Sequence, residues 1–154
     1  MPDEREDLAE ALLAASRALV GIAIRGLGAV ASDVTLAQHR VLLLLRDHDE
    51  LSVNEIADLL EVNQSNASRH ASRLTELGLV AREQAPHDGR AVALRLTPTG
   101  RARVDAVREA RLDEIRSVLS RMELADVRRV AEALLAFEEA ADVSAAHDGG
   151  AVLH

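Results

Sequence analysis

The sequence predicts a mainly α fold of the α+β class, in which one β-hairpin interrupts a series of helices. Apolar residues recur at helical spacing over most of the 154 residues. Side chains that cap helices (Ser, Thr and Asn) stand just before several of these segments. Between residues 79 and 96, two short segments with β-type patterning flank a turn rich in Gly, Pro and Asp. The length of the chain fits one compact domain overall.

Residues 1–32 are expected to hold one N-terminal helix, from about Glu4 to Val30. Its apolar residues are Leu8, Leu12, Leu19, Ala23, Leu27 and Val30. Three glycines weaken its second half, where we expect a kink or fraying: Gly21, Gly26 and Gly28. Thr35 and Gln38 form a capping pair for the next helix. The apolar run at residues 41–45 makes that helix the buried centre of the fold.

Residues 35–100 contain two short helices in succession. Ser52 and Glu55 have the spacing of a reciprocal capping box, and an apolar face follows them up to Leu60. Asn63 is placed to cap a second helix, from Gln64 to Leu77, and Gly78 suits a left-handed C-cap. Two short helices joined by about three residues form a helix-turn-helix.

The second helix of this pair has an unusual polar face. Short hydroxyl and amide side chains with two arginines let a helix backbone approach base edges. Arg can then pair with guanine and Asn with adenine. The candidate DNA-binding residues of this helix are Gln64, Ser65, Asn66, Ser68, Arg69 and Arg73. The alternative is an ordinary solvated surface helix. His70 lies near the core-side edge and is expected to pack rather than to contact bases.

The hairpin is expected to pair residues 79–83 with residues 91–96 around a turn at residues 85–90. Arg90, near its tip, suits the negative potential of a narrow minor groove, which makes it a further DNA-binding candidate. Asp88 is too acidic to face phosphate, so we expect it to orient Arg73 or Arg90. Thr97 then caps a helix that begins at Pro98, where the missing N–H costs nothing. Helix-turn-helix plus hairpin is a winged helix-turn-helix.

Residues 101–140 are expected to form C-terminal helices, about 98–120 and 123–140, each with an apolar stripe. A lone winged helix cannot cover these stripes and that of the N-terminal helix. Pairing of the terminal helices of two chains would cover them, giving a homodimer. The alternative is a monomer whose helical cap folds back on its own domain. Residues 141–154 are expected to be a disordered tail.

The net charge of −8 is unevenly distributed. Residues 64–103 carry seven arginines against three acids, a net charge of +4. The remainder has eleven arginines and twenty-three acids, a net charge of −12. A basic surface around the polar helix, with acidic surfaces elsewhere, favours oriented docking on a polyanion.

Several classes of chemistry are not indicated. The sequence has no cysteine, which excludes thiol-based redox sensing, disulfides and cysteine-ligated zinc. Its six histidines lack the i, i+4 pairing of a helical metal site, so neither a metal nor a cofactor is predicted. With no Gly-rich phosphate loop and no G-x-S-x-G sequence, no catalytic residue is predicted. An acidic N-terminus without a long apolar run predicts a soluble cytoplasmic protein.

The chain resembles the MarR-type (multiple antibiotic resistance) transcriptional regulators. The matching segments are residues 52–60, residues 63–77, Gly78-Leu79-Val80, Asp88-x-Arg90 and Leu96-Thr97-x-x-Gly100. The resemblance implies a homodimer that binds a pseudo-palindromic double-stranded DNA operator and responds to a small, often anionic aromatic effector. The hairpin tip departs from the family in having a single arginine, so we expect modest phosphate contact there.

The resemblance also implies a ligand pocket between the DNA-binding region and the dimer helices. His39 and Arg40 could supply its polar groups. The alternative for these two residues is a packed imidazole and a charge at a helix end. A different function also stays open, a winged-helix module that docks protein partners and does not read DNA sequence.

Overall fold

The computed structural model describes the backbone of residues 4–85 and 88–148, and within this range the side chains of residues 4–84 and 92–141. One hairpin interrupts the series of helices, as the sequence predicts, which confirms the mainly α winged helix-turn-helix. The elements are α1 (Glu4–Val30), α2 (Leu36–Asp47), α3 (Val53–Leu60), α4 (Gln64–Glu76), β1 (Val80–Ala85), β2 (Asp88–Leu96), α5 (Pro98–Leu119) and α6 (Leu124–Asp148). The chain divides into two compact units between Glu114 and Ile115.

The predicted helix starts are confirmed at their caps. Ser52 Oγ accepts a hydrogen bond from the Glu55 backbone N–H at 3.2 Å, and Glu55 Oε2 accepts one from the Ser52 N–H at 2.7 Å. Thr35 and Gln38 make the same reciprocal pair at the start of α2. Asn63 Oδ1 accepts from the Asn66 N–H at 2.8 Å. Each cap satisfies backbone donors that a helix end leaves without partners.

The core of the first unit is built around α2. Val41 and Leu42 of α2 are fully buried. The turn from α3 to α4 contains Glu61 in the left-handed conformation (φ 54°). The side chains that fill the space between α2, the helix-turn-helix, the hairpin and α5 are Leu45, Ile56, Leu74, Leu79, Leu94 and Val104. This packing fixes α4 to the body of the unit and leaves its opposite face free.

The hairpin is longer than the sequence predicts. Antiparallel pairing runs from Val80↔Leu96 to Gln84↔Val92 and, after an irregularity, reaches Ala85↔Asp88. Ala85 and residues 88–90 of the predicted turn therefore belong to strands, while residues 86 and 87 lie outside the described part of the chain. The preferences of residues for strands span only about 1 kcal/mol, so the pairing begun by the apolar residues can continue across the irregularity to Asp88. Leu51 adds a bridge to Leu94, with N–H···O distances of 3.1 and 2.8 Å.

The junction between the hairpin and α5 explains the Leu-Thr-x-x-Gly sequence. Thr97 Oγ1 donates to the Gly78 carbonyl at 2.7 Å and accepts from the Gly100 N–H at 3.0 Å, while the Thr97 N–H donates to the Leu79 carbonyl at 3.1 Å. A Cβ atom at Gly100 would lie 2.0 Å from that same carbonyl oxygen of Leu79. Gly78 itself has φ +70°, the left-handed conformation predicted for the C-cap.

The first helix, α1, is continuous from Glu4 to Val30, so its glycines do not fray the helix, and the expected kink stays a prediction. Ile22, Gly26 and Leu27 are its buried residues, and Gly26 is buried where α5 passes closely. Most of its other apolar residues are exposed: Leu8, Leu12, Leu13, Leu19, Val20 and Ile24. By length and composition α1 could cross a membrane, with a mean hydropathy of 1.5 over a window that is only 17% buried. Helices that pair with another chain can have the same composition.

The second unit contains the end of α5 and α6. The last helix runs to Asp148, past the predicted end at residue 140, and residues 149–154 lie outside the described part of the chain. Its large apolar side chains are exposed: Leu124, Val130, Leu134, Leu135 and Phe137. Among the residues that the structure describes in this unit, none covers these side chains, so α6 presents an uncovered apolar surface.

Candidate nucleic-acid interface

One face of α4 is buried and the opposite face is exposed, as the sequence predicts. Ala67, Ala71 and Leu74 are fully buried. Gln64, Ser65, Arg69 and Arg73 are exposed, while Asn66, Ser68 and His70 are partly buried at the edges. Small buried side chains on one face bring the helix close to the core. The opposite face therefore presents a continuous polar surface with hydrogen-bond donors and acceptors suited to base edges.

Asn66 and Arg69 are held together on this surface before any ligand binds. Asn63 caps the helix through the Asn66 backbone, and Arg69 Nη2 donates to the Asn66 side-chain oxygen one turn later. A guanidinium held in this way loses less side-chain entropy when it binds than a free one. The arrangement favours these two residues as contacts for neighbouring groups on one partner.

Arg73 lies beside an acidic residue of its own helix. Its Nη1 lies 3.3 Å from Glu76 Oε2, and both side chains are at least half exposed, so the pair adds little to stability. Asp88 was expected to orient Arg73 or Arg90. The side chains of Asp88 and Arg90 lie outside the described residues, so their roles stay predictions. Their backbones belong to β2.

Two arginines that the sequence analysis missed attach the hairpin to the helices. Arg82 Nη2 on β1 donates to Ser72 Oγ on α4 at 2.9 Å. Arg95 on β2 pairs with Glu50 in the connection before α3 and with Glu83 on β1. These contacts join residues from different elements, and only the concentration of arginine in residues 64–103 could have indicated them.

A shallow groove of about 250 Å³ lies where α3, α4 and β2 meet. It is lined by Ser52, Val53, Asn54, Gln64 and Val92. Val92, on the hairpin, is 44% exposed, and Gln64 is the first residue of α4 and belongs to its exposed polar face. The groove thus continues the polar face of α4 toward the hairpin and combines amide groups with an apolar wall.

His39 and Arg40, the predicted pocket residues, differ sharply in their surroundings. His39 is 4% exposed, and its Nδ1 has no hydrogen-bond partner among the residues that the structure describes. Burial, reinforced by the positive charges of Arg111 and Arg46, lowers the pKa of His39 and keeps the imidazole neutral. Arg40 is exposed. Within the described ranges no cluster of three or more His, Cys, Asp or Glu side chains could hold a metal ion.

Comparison with known proteins connects this geometry to one family. The sequence model of the MarR family matches residues 32–91, which include α2, α3, α4 and most of the hairpin. The HTH-type transcriptional repressor MdtR of Bacillus subtilis is 39% identical over 74 residues, 48% of this chain and 48% of MdtR. The chain spans about half the length of this relative and 62% of the uncharacterized HTH-type regulator YdgJ of the same organism.

Solved structures match over nearly the whole chain. RV1404 from Mycobacterium tuberculosis is 32% identical, with a TM-score of 0.83 over 92% of this chain and 97% of RV1404. A MarR family protein from Bacillus stearothermophilus has a TM-score of 0.79 over 92% of this chain and 99% of its own, at 22% identity. The second likeness concerns the fold alone, and it extends to the helices that flank the matched sequence segment.

Proposed function

The chain belongs to the MarR family, and we propose that it is a homodimeric, sequence-specific DNA-binding regulator of transcription. The observation that carries this proposal is the polar, arginine-bearing face of α4, exposed beside a hairpin that is bonded to it. Exposed apolar side chains on α4 would instead have favoured a protein partner. No catalytic chemistry is part of the proposal.

The proposed contacts with DNA are made by two elements, α4 and the hairpin. The exposed face of α4 enters the major groove, where Gln64, Ser65, Asn66, Ser68, Arg69 and Arg73 approach the base edges and phosphates. Arg90 of the hairpin reaches into the adjacent minor groove, where a narrow, A·T-rich stretch concentrates negative potential. The positive charge of residues 64–103 supports this orientation against the acidity of the rest of the chain.

Dimerisation is proposed through the terminal helices. The exposed apolar residues of α1 and α6 would lose their contact with water if two chains paired with twofold symmetry. Two copies of α4 would then meet successive major grooves about 34 Å apart. The operator is correspondingly expected to be pseudo-palindromic.

Regulation by a small effector is the finer part of the proposal. We propose that the protein represses transcription in the cytoplasm and releases DNA when an anionic aromatic molecule binds. His39 and Arg40 remain candidate contacts. Because burial keeps His39 neutral, it would act as a hydrogen-bonding partner, whereas Arg40 would supply positive charge.

Affinity selection from a random DNA duplex library tests the proposal directly. Sequence-specific binding should enrich two inverted half-sites centred about one helical turn apart. Light scattering on the free protein should give twice the mass of the 16.6 kDa chain. Binding without any enriched sequence, or no binding at low salt, would favour the alternative of a winged-helix module that docks proteins.

A further inference from the structure

Arg95 lies where the hairpin joins the rest of the first unit, and it contacts carboxylates from two other segments. Its Nη2 donates to Glu50 Oε2, between α2 and α3, and its Nε lies 3.3 Å from Glu83 Oε2 on β1. That Nε is buried and is close enough to Glu83 for an ion pair without being aligned for a hydrogen bond. One guanidinium therefore connects β2 both to β1 and to the segment between α2 and α3.

The backbone beside Arg95 reinforces the same junction. Leu94 and Leu51, the chain neighbours of Arg95 and Glu50, exchange two backbone hydrogen bonds of 3.1 and 2.8 Å. Leu94 is also fully buried in the core, so the base of the hairpin is held at this bridge. The ion pair between the adjacent side chains adds a second point of attachment, which restricts the angle of the hairpin.

The other strand of the hairpin, β1, is attached to α4. Arg82 on β1 donates to Ser72 on α4 at 2.9 Å. Because Arg95 ties β2 and β1 to the connection before α3, the hairpin is held from both sides. We expect the separation between the exposed face of α4 and the outer part of the hairpin to depend on these two attachments.

We propose that Arg95 is a positioning residue that fixes the hairpin relative to α4, so that both can contact one DNA duplex at the same time. The proposal rests on the proposed DNA-binding function. Direct contact of Arg95 with a phosphate is disfavoured, because the carboxylates of Glu50 and Glu83 already neutralise its charge and would repel the phosphate. Arg can serve two carboxylates at once through its planar fork, which Lys cannot.

The substitution Glu50→Gln separates positioning from simple electrostatics. Removing an acid should strengthen DNA binding if only net charge matters. If Arg95 positions the hairpin, Glu50→Gln should instead weaken operator binding about three- to tenfold, within the range of one partly exposed ion pair and its network. Asp49→Asn is the matched control, since it makes the same charge change at the neighbouring exposed residue, and it should bind as tightly as wild type or slightly more tightly.

Two further measurements complete the test. Adding Glu50→Gln to Arg95→Gln should cause no further loss of affinity, because both substitutions break the same contact. Without DNA, amide hydrogen exchange in β1 and β2 should be several times faster in Glu50→Gln than in Asp49→Asn. Wild-type affinity or unchanged exchange in Glu50→Gln would overturn the role of Arg95. If the wild-type protein selects no DNA sequence, the proposed function fails, while the exchange rates still decide whether Arg95 holds the hairpin.

Discussion

Gly26 of α1 and Arg111 of α5 are so close that only glycine fits at residue 26. A Cβ atom there would lie 2.5 Å from Cγ of Arg111 and 3.3 Å from its backbone nitrogen. The same two helices are joined nearby by an ion pair of 2.7 Å between Arg25 and Glu114. The close approach thus depends on the missing side chain, with the ion pair at its edge.

Gly26→Ala is expected to destabilise the protein by about 1–2 kcal/mol. The clash with Arg111 costs about 1–3 kcal/mol, and the better helix propensity of alanine offsets part of it. Chemical denaturation measures the difference. Gly28→Ala is the control, because its Cβ would meet nothing within 4 Å, and it should stabilise by about 0.5–1 kcal/mol. If both substitutions stabilise the protein equally, α1 and α5 do not pack closely enough at Gly26 to exclude a side chain.

Gly100→Ala is expected to be more damaging, with a loss of about 3 kcal/mol. The obstructing atom is the Leu79 carbonyl oxygen, which cannot move away without breaking its hydrogen bond to the Thr97 N–H. The neighbouring substitution Thr99→Ala, at an exposed position, should change the free energy of unfolding by no more than about 0.5 kcal/mol. A thermal or urea midpoint of Gly100→Ala close to that of Thr99→Ala would contradict the role given to Gly100.

Arg69→Ala is expected to weaken operator binding by about 1–3 kcal/mol and to relax selectivity at particular base pairs. The substitution removes both the guanidinium and the contact that holds the Asn66 side chain. Binding curves on the selected operator and on its single-base variants measure the effect. Arg128→Ala removes the same charge from the exposed surface of α6 and should leave selectivity unchanged. An equal loss on operator and random DNA would assign Arg69 to phosphate contact alone.

Acidification below pH 6.5 is expected to destabilise the fold through His39. Burial, with the charges of Arg111 and Arg46, lowers the pKa of His39 from its ordinary 6.5, so the unfolded chain takes up a proton at a higher pH than the folded chain does. The stability associated with neutral His39 is complete above pH 6.5 and declines as the pH falls toward the lowered pKa. Urea denaturation between pH 7.5 and 5 should show this decline in the wild-type protein.

The matched comparison for this pH effect is between two glutamine substitutions. His39→Gln should reduce the decline, whereas His70→Gln, at a partly buried position on α4, should retain it. If His39→Gln loses stability with pH as steeply as the wild-type protein, another group causes the pH dependence.

The features predicted best from sequence are those encoded within four consecutive residues. The caps at Ser52 and Asn63 need only a side-chain oxygen and a nearby backbone N–H, and the structure has both. The separation of buried and exposed residues on α4 was likewise predictable, because helical periodicity determines which side chains share a face. For the same reason, the mainly α fold followed from the pattern alone.

Features that depend on distant residues could not be predicted in this way. The pairing of Arg95 with Glu50 spans 45 positions, and no local pattern marks either residue as a partner of the other. Gly26 was interpreted as a weak point of α1, whereas its missing side chain makes room for α5. The predicted hairpin is too short because residues 85–90 have the composition of a turn, although Ala85 and Asp88 pair as strand.

The bridge between Leu51 and Leu94 also bears on the order in which the first unit assembles. The backbone hydrogen bonds within α2, α3 and α4 join nearby residues and can form within microseconds, whereas joining residues 51 and 94 requires closure of a long loop. Contacts made after the rate-limiting step affect unfolding more than folding. We therefore expect the hairpin to dock after these helices form, and a substitution that weakens the bridge should raise the unfolding rate more than it lowers the folding rate.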